Sequence, residues 1–433
     1  MLRLGKPQEL FSSVFSICKN LTSTLVTKLD TMTETNEASQ DSSQAEKRPL
    51  ENESNGEAKK QKTENETVPF VRIKRRNFAM MLGYLGKDYY GMQRNPKIDT
   101  IEEQLIKAMY KANLITSEAV EVIQNINFQR AARTDKGVSA VRQVVSLKLP
   151  ENPSKDSINE HLPKNIKVFS IKRVTKGFNC KSKCNARTYS YTLPTYAFAP
   201  ENLELFNKTH ESMEERIAER MEALSLIDGK PFHEYRLPKD KQEQVSVLLQ
   251  KFKGTKNFHN YTTKILPLDP RARRYIMNLE AEKPVIVNDM EFMTLKIKGQ
   301  SFMMHQIRKM VSMVIAVMRN IATEEDFNQS FNTPKYIISR APSLGLMLNV
   351  VHYDYYNERY GKDGLHERLD WADCEEEIQD FEKNYILKDV IDTEINEKSM
   401  LSWLAQLSTS DYGLWDESKA ENKEEKEEGP LDD

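Results

Sequence analysis

Arg130-Ala131-Ala132-Arg133-Thr134-Asp135-Lys136-Gly137-Val138-Ser139-Ala140 runs straight into an alternating stretch, Arg142 to Leu149. That stretch sets Val145, Leu147 and Leu149 on one side, the pattern of a half-buried strand. Asp-Lys-Gly by itself reads as a tight turn, because glycine tolerates positive φ and Asp bonds to its own backbone. The charges argue for more than a turn. Arg130, Arg133 and Lys136 crowd around one carboxylate. A carboxylate so placed can act as nucleophile or base, while the spare cations hold phosphate.

Outward from this loop the chain alternates between strand and helix signals. Phe78 to Leu85 is an apolar run suited to a buried strand. Thr100 with Glu103 forms a capping box, and Ile101, Leu105, Ala108 and Ala112 then mark one helix face. Ala186 to Leu193 alternates, with Arg187, Tyr189, Tyr191 and Leu193 on one face. Residues 201–240 are polar, contain a helix around Met213 to Leu226, and read as a linker or insertion. A second unit follows, with strands at Arg273 to Glu282 and around Met293 to Ile297 and a helix from Phe302 to Ile321. Strands and packed helices in this order give an α+β architecture with a mixed or antiparallel sheet.

Composition sets further bounds. The most apolar stretch, Phe302 to Ala322, is broken by Arg308, Lys309 and Arg319, so it is a core helix and not a membrane span. Four cysteines (Cys18, Cys180, Cys184 and Cys374) make a poor disulfide framework for 433 residues and fit a reducing compartment. Cys180 and Cys184 lack a second ligand pair, so no zinc site is expected. The net charge of −2 hides an asymmetry: residues 69–360 carry +15 and residues 361–433 carry −15. A polycationic middle suits a surface that neutralises phosphates.

Residues 1–68 are expected to be disordered, being rich in Glu, Asn, Ser and Gln over their second half. Their first 31 residues are acid-poor, as in a mitochondrial presequence, and Met32 offers an internal start. Lys47-Arg48 and Lys59-Lys60-Gln61-Lys62 are spaced as a bipartite nuclear localisation signal. Residues 361–412 form an acidic extension with a helical part, in which Trp371, Phe381 and Trp403 are available for docking, and 413–433 a disordered acidic tail.

The central loop resembles the catalytic loop of TruA-type pseudouridine synthases, Ala/Gly-Arg-Thr-Asp-Lys/Ala-Gly-Val-x-Ala. Other blocks of that family recur in order. They are Gly83-Tyr84-Leu85-Gly86 with Tyr90-Gly91-Met92-Gln93-Arg94-Asn95, then Ala186-Arg187-Thr188-Tyr189-Ser190-Tyr191, then Asn257-Phe258-His259-Asn260-Tyr261-Thr262. Ser301-Phe302-Met303-Met304-His305-Gln306-Ile307-Arg308 and Ala341-Pro342-Ser343-Leu344-Gly345-Leu346 complete the set. Met92 and Ser139 stand where bacterial members often have Trp and His, which is similar to the eukaryotic branch. The likeness covers roughly residues 75–355.

The resemblance implies two ferredoxin-like (RRM-like) α/β subdomains, residues 69–200 and 241–360. They would share an extended, mixed and mainly antiparallel sheet, with helices on one face and a catalytic cleft between them. It implies uridine-to-pseudouridine isomerisation in tRNA, around the anticodon stem, with small nuclear or messenger RNA as further substrates. Asp135 would be the essential carboxylate. Arg133 would hold the target nucleotide extruded, Tyr189 would stack on the uracil and assist proton removal at C5, and Arg308 would pair with Asp135. Leu346 would close the pocket, with Lys136, Arg130, Tyr191, His305 and Phe302 completing the substrate-binding set. The reaction adds nothing and changes no oxidation state, so neither cofactor nor metal is expected, and no dinucleotide or Walker loop appears. The rival reading is a non-catalytic RNA-binding module on the same fold, which predicts a damaged loop; Arg133, Thr134, Asp135 and Gly137 are intact. A monomer is expected, because the insertion and acidic extension obstruct pairing.

Overall fold

A computed structural model describes residues 74–201 and 212–407, together with the backbone of Gly413–Leu414. All belong to one compact unit, Ile73–Asp433. The basic clusters before residue 68, the N-terminal 31 residues and most of the acidic tail lie outside the described residues.

The apolar runs become β1 (Arg75–Tyr84), then α1 (Ile101–Lys111), β2 (Gln129–Arg130), β3 (Ser139–Pro150), β4 (Ile166–Arg173) and β5 (Ala186–Pro194). After α2 (Met213–Leu224) and a small hairpin, β6 (Leu226–Ile227) with β7 (Lys230–Pro231), the second unit opens on α3 (Lys239–Gln250). It continues through β8 (Gly254–Asn257), β9 (Arg273–Ala281), β10 (Val285–Val287), β11 (Met290–Gly299), α4 (Gln306–Met318), β12 (Tyr336–Ile337) and β13 (Leu346–His352). The acidic extension supplies α5 (Glu375–Phe381), α6 (Lys388–Glu397) and α7 (Ser399–Leu407); contrary to the disorder expected from residue 413 onward, Gly413–Leu414 form β14, held by backbone pairing with β12.

One ten-stranded sheet runs β4-β1-β3-β13-β5-β11-β9-β8, with β2 attached to β3 and β10 to β11. It is mixed and mainly antiparallel, as expected. The parallel pair is β3 with β13, joined at Ser139↔Met347 and Ala140↔Leu348. Because both strands start at the same end, the 131–138 loop that enters β3 and the 341–345 segment that enters β13 emerge side by side. β5 lies antiparallel on the other side of β13, setting Tyr191 opposite Leu346 and Tyr189 opposite Leu348. The topology alone thus gathers three motifs at one place.

Some elements differ from expectation for identifiable reasons. β3 is buried along nearly its whole length, not on one side only. Its Gln143 faces the loop above it, and on the opposite face Arg142 meets Glu375 of α5 at 2.7 Å. Phe381 packs edge-on against Phe169 of β4, with ring centroids 5.7 Å apart, so the extension covers a face that local sequence leaves open. Thr100 caps α1 by accepting from the Glu103 N–H, but the Glu103 carboxylate turns to Arg94, leaving the capping box half formed. The long helix starts at Gln306 and not Phe302, because His305 adopts the left-handed conformation (φ 61°) and releases residues 300–305 as a loop.

The described part of the polar segment before the second unit, Glu201 and the residues from Ser212 onward, is packed. Ser212 caps α2, which lies against α7, and Arg220 of α2 joins Glu201, whose other oxygen meets Arg319 at the end of α4. Trp371 and Phe381 are buried, Trp403 partly so. No helix among the described residues is long and apolar enough to cross a membrane.

Candidate active site

The loop before β3 is held by its own sequence neighbourhood and by distant strands. Gln143 is fully buried and clamps Ala132 from both sides. Its Nε2 donates to the Ala132 carbonyl at 2.9 Å and its Oε1 accepts from the Ala132 N–H at 3.2 Å. The Tyr84 hydroxyl bonds Thr134 Oγ1 at 2.8 Å. Met92 N–H donates to the Thr134 carbonyl, Gly137 N–H to the Tyr89 carbonyl, and Val138 N–H back to the Asp135 carbonyl, closing the turn. Gly137 sits at φ +75°, as its sequence reading requires. Gly91 is at φ +92°, and a Cβ there would fall 2.5 Å from the Thr134 carbonyl oxygen. Arg187 of β5 donates Nε and Nη2 to the Ala131 carbonyl, at 3.1 and 2.6 Å, and Nη1 to that of Gln300. Backbone so fully engaged is rigid, and rigid support is what a reacting group needs.

Asp135 rides on this loop with about a third of its side chain open (35%). Its ion-pair neighbour among the described residues is His305, whose Nδ1 lies 3.3 Å from Oδ2. The other ring nitrogen of His305, Nε2, is 3.2 Å from Arg340 Nη1. Arg308 is close enough to feel the Asp135 charge but does not pair with it directly, contrary to expectation. Its Nε donates instead to the Ala341 carbonyl at 2.5 Å, tying α4 to the segment that enters β13. Burial lowers the pKa of this guanidinium, with Arg340 adding to the effect and Tyr191 and Asp135 opposing it.

Tyr189 is buried beside the carboxylate, its ring edge-on to Phe302 at 5.3 Å. Burial pushes its phenol up to about 12, with Asp135 adding to the rise and Arg187 opposing it, so it stands protonated at neutral pH. Leu346 is buried at the start of β13. Asp135, Tyr189, His305, Arg308 and Phe302 are therefore brought together from chain segments far apart in sequence, with Leu346 next to them on β13, opposite Tyr191.

Other expected members take different places. Arg130 is committed to the buried Glu102 of α1, Nε to Oε2 at 2.7 Å and Nη2 to Oε1 at 2.9 Å, so it braces the loop and is not a free cation for substrate. Tyr191 spends its hydroxyl on the Pro342 carbonyl at 2.8 Å and is buried, so it supports the closing segment from beneath. Lys136 is exposed, with its ammonium 4.2 Å from the centre of the Tyr90 ring. Arg133 is exposed as well.

Gln143, Arg187, Arg340 and Lys309 were given no part in the site by sequence. A lone amide among Val141, Val144, Val145 and Leu147 is the signal that could have found Gln143, since a buried polar group must have partners. Lys309 donates to the Asn260 and Thr262 carbonyls, and its pKa falls to about 8 through burial, with Arg340 and Lys335 contributing. The Asn257–Thr262 block proves to be scaffolding: Asn260 bridges to the carbonyls of Ser330 and Pro334, and Thr262 Oγ1 donates to the Met304 carbonyl at 3.0 Å, pinning the loop that carries His305. Among the described residues no cluster of His, Cys, Asp and Glu could hold a metal ion.

A tRNA pseudouridine synthase family profile matches residues 248–354. Pseudouridylate synthase 1 homolog of Mus musculus is 41% identical over 359 residues, spanning 82% of this chain and 79% of its own. The Homo sapiens protein of that name is 42% identical over 338 residues, with 77% and 73% covered. tRNA pseudouridine synthase 1 of Kluyveromyces lactis is 33% identical over 395 residues, with 78% and 71% covered.

Proposed function

The chain belongs to the tRNA pseudouridine synthase family, and from that premise we propose that it isomerises uridine to pseudouridine in tRNA with Asp135 as the reacting carboxylate. One observation carries the assignment. A single partly open carboxylate sits on an immobilised loop, with a buried aromatic, an imidazole and a guanidinium converging on it from β5, the 300–305 loop and α4.

The reaction breaks the N1–C1′ bond of uridine, turns the base and rejoins it through C5. Cleavage builds positive character on the ribose. The Asp135 carboxylate stabilises it, by attack at C1′ or by taking the 2′ proton. Glycosidases admit water between or beside paired carboxylates; here one carboxylate acts beside the buried Tyr189 ring, against which Phe302 packs edge-on, and the seated base must keep out water that would capture the sugar and release uracil. Tyr189 enters as a neutral phenol whose ring face suits stacking. Extruding the uridine from folded RNA costs about a few kcal/mol, which contacts of Arg133, Lys136 and other cations with phosphate offset. Tritium release from C5-labelled uridine in tRNA tests the reading: wild type releases it, Asp135→Asn does not, and equal release by both sinks the assignment.

The anticodon stem, with small nuclear and messenger RNA as further substrates, is the substrate range we propose. Carbodiimide-dependent reverse-transcription stops compared between knockout and wild-type cells test it. Nuclear import through Lys47-Arg48 and Lys59–Lys62, a mitochondrial form starting at Met1, and a monomeric state belong to the same proposal. Unchanged nuclear fluorescence after joint Lys59→Ala, Lys60→Ala and Lys62→Ala replacement would remove the import claim.

A further inference from the structure

His305 is gripped from behind. Thr262 Oγ1 holds the Met304 carbonyl at 3.0 Å, Gln306 Oε1 accepts from Met303 N–H at 2.9 Å, and Lys309 N–H donates to the His305 carbonyl at 3.0 Å. The left-handed backbone at 305 turns the chain sharply into α4 and leaves the imidazole between two groups of opposite charge. On one side Arg340 Nη1 is 3.2 Å from Nε2. On the other, Asp135 Oδ2 is 3.3 Å from Nδ1.

Those two contacts decide where the ring proton sits. A guanidinium has N–H donors and no acceptor, so Nε2 must receive the bond from Arg340 through its lone pair. The proton of the imidazole then sits on Nδ1, because the partner of one ring nitrogen sets the state of the other. Nδ1 is buried and forms no aligned hydrogen bond within the protein, and the carboxylate oxygen is the acceptor beside it. Catalytic hydrogen bonds are often long and misaligned before substrate arrives, and tighten in the complex.

We propose that Arg340 is a positioning residue acting through His305. By donating to Nε2 it holds His305 with its proton on Nδ1, and that proton is presented to Oδ2 of Asp135. One carboxylate oxygen is thereby oriented and the other left for the ribose. Without Arg340 the ring is free to carry its proton on Nε2, which points a lone pair at the carboxylate and turns the two apart. Arg340 itself is placed by its neighbour, since Ala341 accepts from Arg308 Nε and returns its N–H to the Arg308 carbonyl. The inference rests on Asp135 being the reacting carboxylate.

The test uses the full chain with ¹⁵N-labelled histidine and long-range proton–nitrogen correlation spectra. With 7 histidines the His305 signal is assignable by its loss in His305→Asn. Wild type should show the Nδ1-protonated form, and Arg340→Met should shift the signal toward the Nε2-protonated form. Arg340 is exposed, so its replacement leaves the core in place. Single-turnover tritium release at saturating tRNA should fall about tenfold in Arg340→Met, the worth of one hydrogen bond to a charged group. Arg340→Lys, which keeps a donor, should recover most of that loss. His305→Asn should outperform His305→Leu, because the Asn amide nitrogen can stand where Nδ1 stands and Asn tolerates the left-handed backbone. An unchanged tautomer in Arg340→Met overturns the proposal even if the rate falls. So does a loss confined to KM, which would make Arg340 an RNA contact. Failure of Asp135→Asn to abolish turnover is a separate result that sinks the proposed catalytic role and leaves the tautomer measurement readable on its own.

Discussion

Replacing Gln143 by Leu should cost both stability and turnover, because this one buried amide holds the loop that carries Asp135. The carboxamide satisfies the Ala132 carbonyl at 2.9 Å and the Ala132 N–H at 3.2 Å, and reaches toward the Tyr84 hydroxyl at 3.4 Å. Ala132 is itself buried, so water cannot replace what is lost. Two orphaned backbone groups cost about 1–3 kcal/mol each. Burying the leucine methyls returns about 1–2 kcal/mol. At the middle of those ranges the net loss is about 2–3 kcal/mol, which in a domain of this size lowers the unfolding midpoint by roughly 5 °C. The kinetic effect should be larger in proportion: displacing a reacting group by about 1 Å can cost about a hundredfold in rate. Scanning calorimetry reads the first number, and single-turnover tritium release at saturating tRNA reads the second. Binding of tRNA should hardly change, since Gln143 touches no surface. A midpoint within about 1 °C of wild type, together with an unaltered single-turnover rate, would refute the claim that the clamp sets the loop.

The other predictions separate roles that sequence could not. Gly91→Ala forces a side chain into a φ of +92° and onto the Thr134 carbonyl, so turnover should drop with a stability loss of about 2 kcal/mol; a silent variant in the same two assays would count against a tight approach of the two loops. Arg130→Ala strands the buried Glu102 carboxylate and should destabilise by about 3–5 kcal/mol with the salt dependence of tRNA affinity unchanged. Arg133→Ala should do the reverse, leaving stability within about 0.5 kcal/mol and reducing the salt slope by about 1. Filter binding across a salt series sorts the two, and the opposite pattern returns Arg130 to the RNA surface. Glu394 of α6 is buried, accepts from the Tyr196 hydroxyl and the Met400 N–H, and burial raises its carboxyl from 4.5 to about 7. Between those values the native state holds a proton that the unfolded chain releases, so this group lowers stability as pH climbs from about 4.5 to about 7, by at most about 3 kcal/mol, and contributes no further slope above. Glu394→Gln should flatten that part of the pH–melting curve, and parallel curves for the two proteins would remove Glu394 as the cause.

The loop around Asp135 was legible because its chemistry is written contiguously: carboxylate, flanking cations and a glycine that must take positive φ all fall within a few residues. Element types were legible wherever burial is one-sided. What escaped was set by partners remote in sequence. The burial of both faces of β3 depends on Arg142 meeting Glu375, more than two hundred positions away. Cations near a carboxylate look alike in a string of letters, yet Arg130 is consumed by Glu102 and Arg308 by Ala341, while a histidine stands against Asp135. The late start of α4 was hidden because Phe302 to His305 are as apolar as the helix they precede; only the left-handed turn at His305 separates them.

The parallel joint between β3 and β13 has a consequence for synthesis. The central seam of the sheet is filled by residues 346–352, which leave the ribosome after every other strand of that sheet. Until then β5 and the part of β3 that β2 does not cover present open edges to solvent, the kind of surface that recruits other chains. A nascent polypeptide stalled before Leu346 should therefore be catalytically silent and prone to aggregate, and the enzyme switches on when the last wedge slides into the gap.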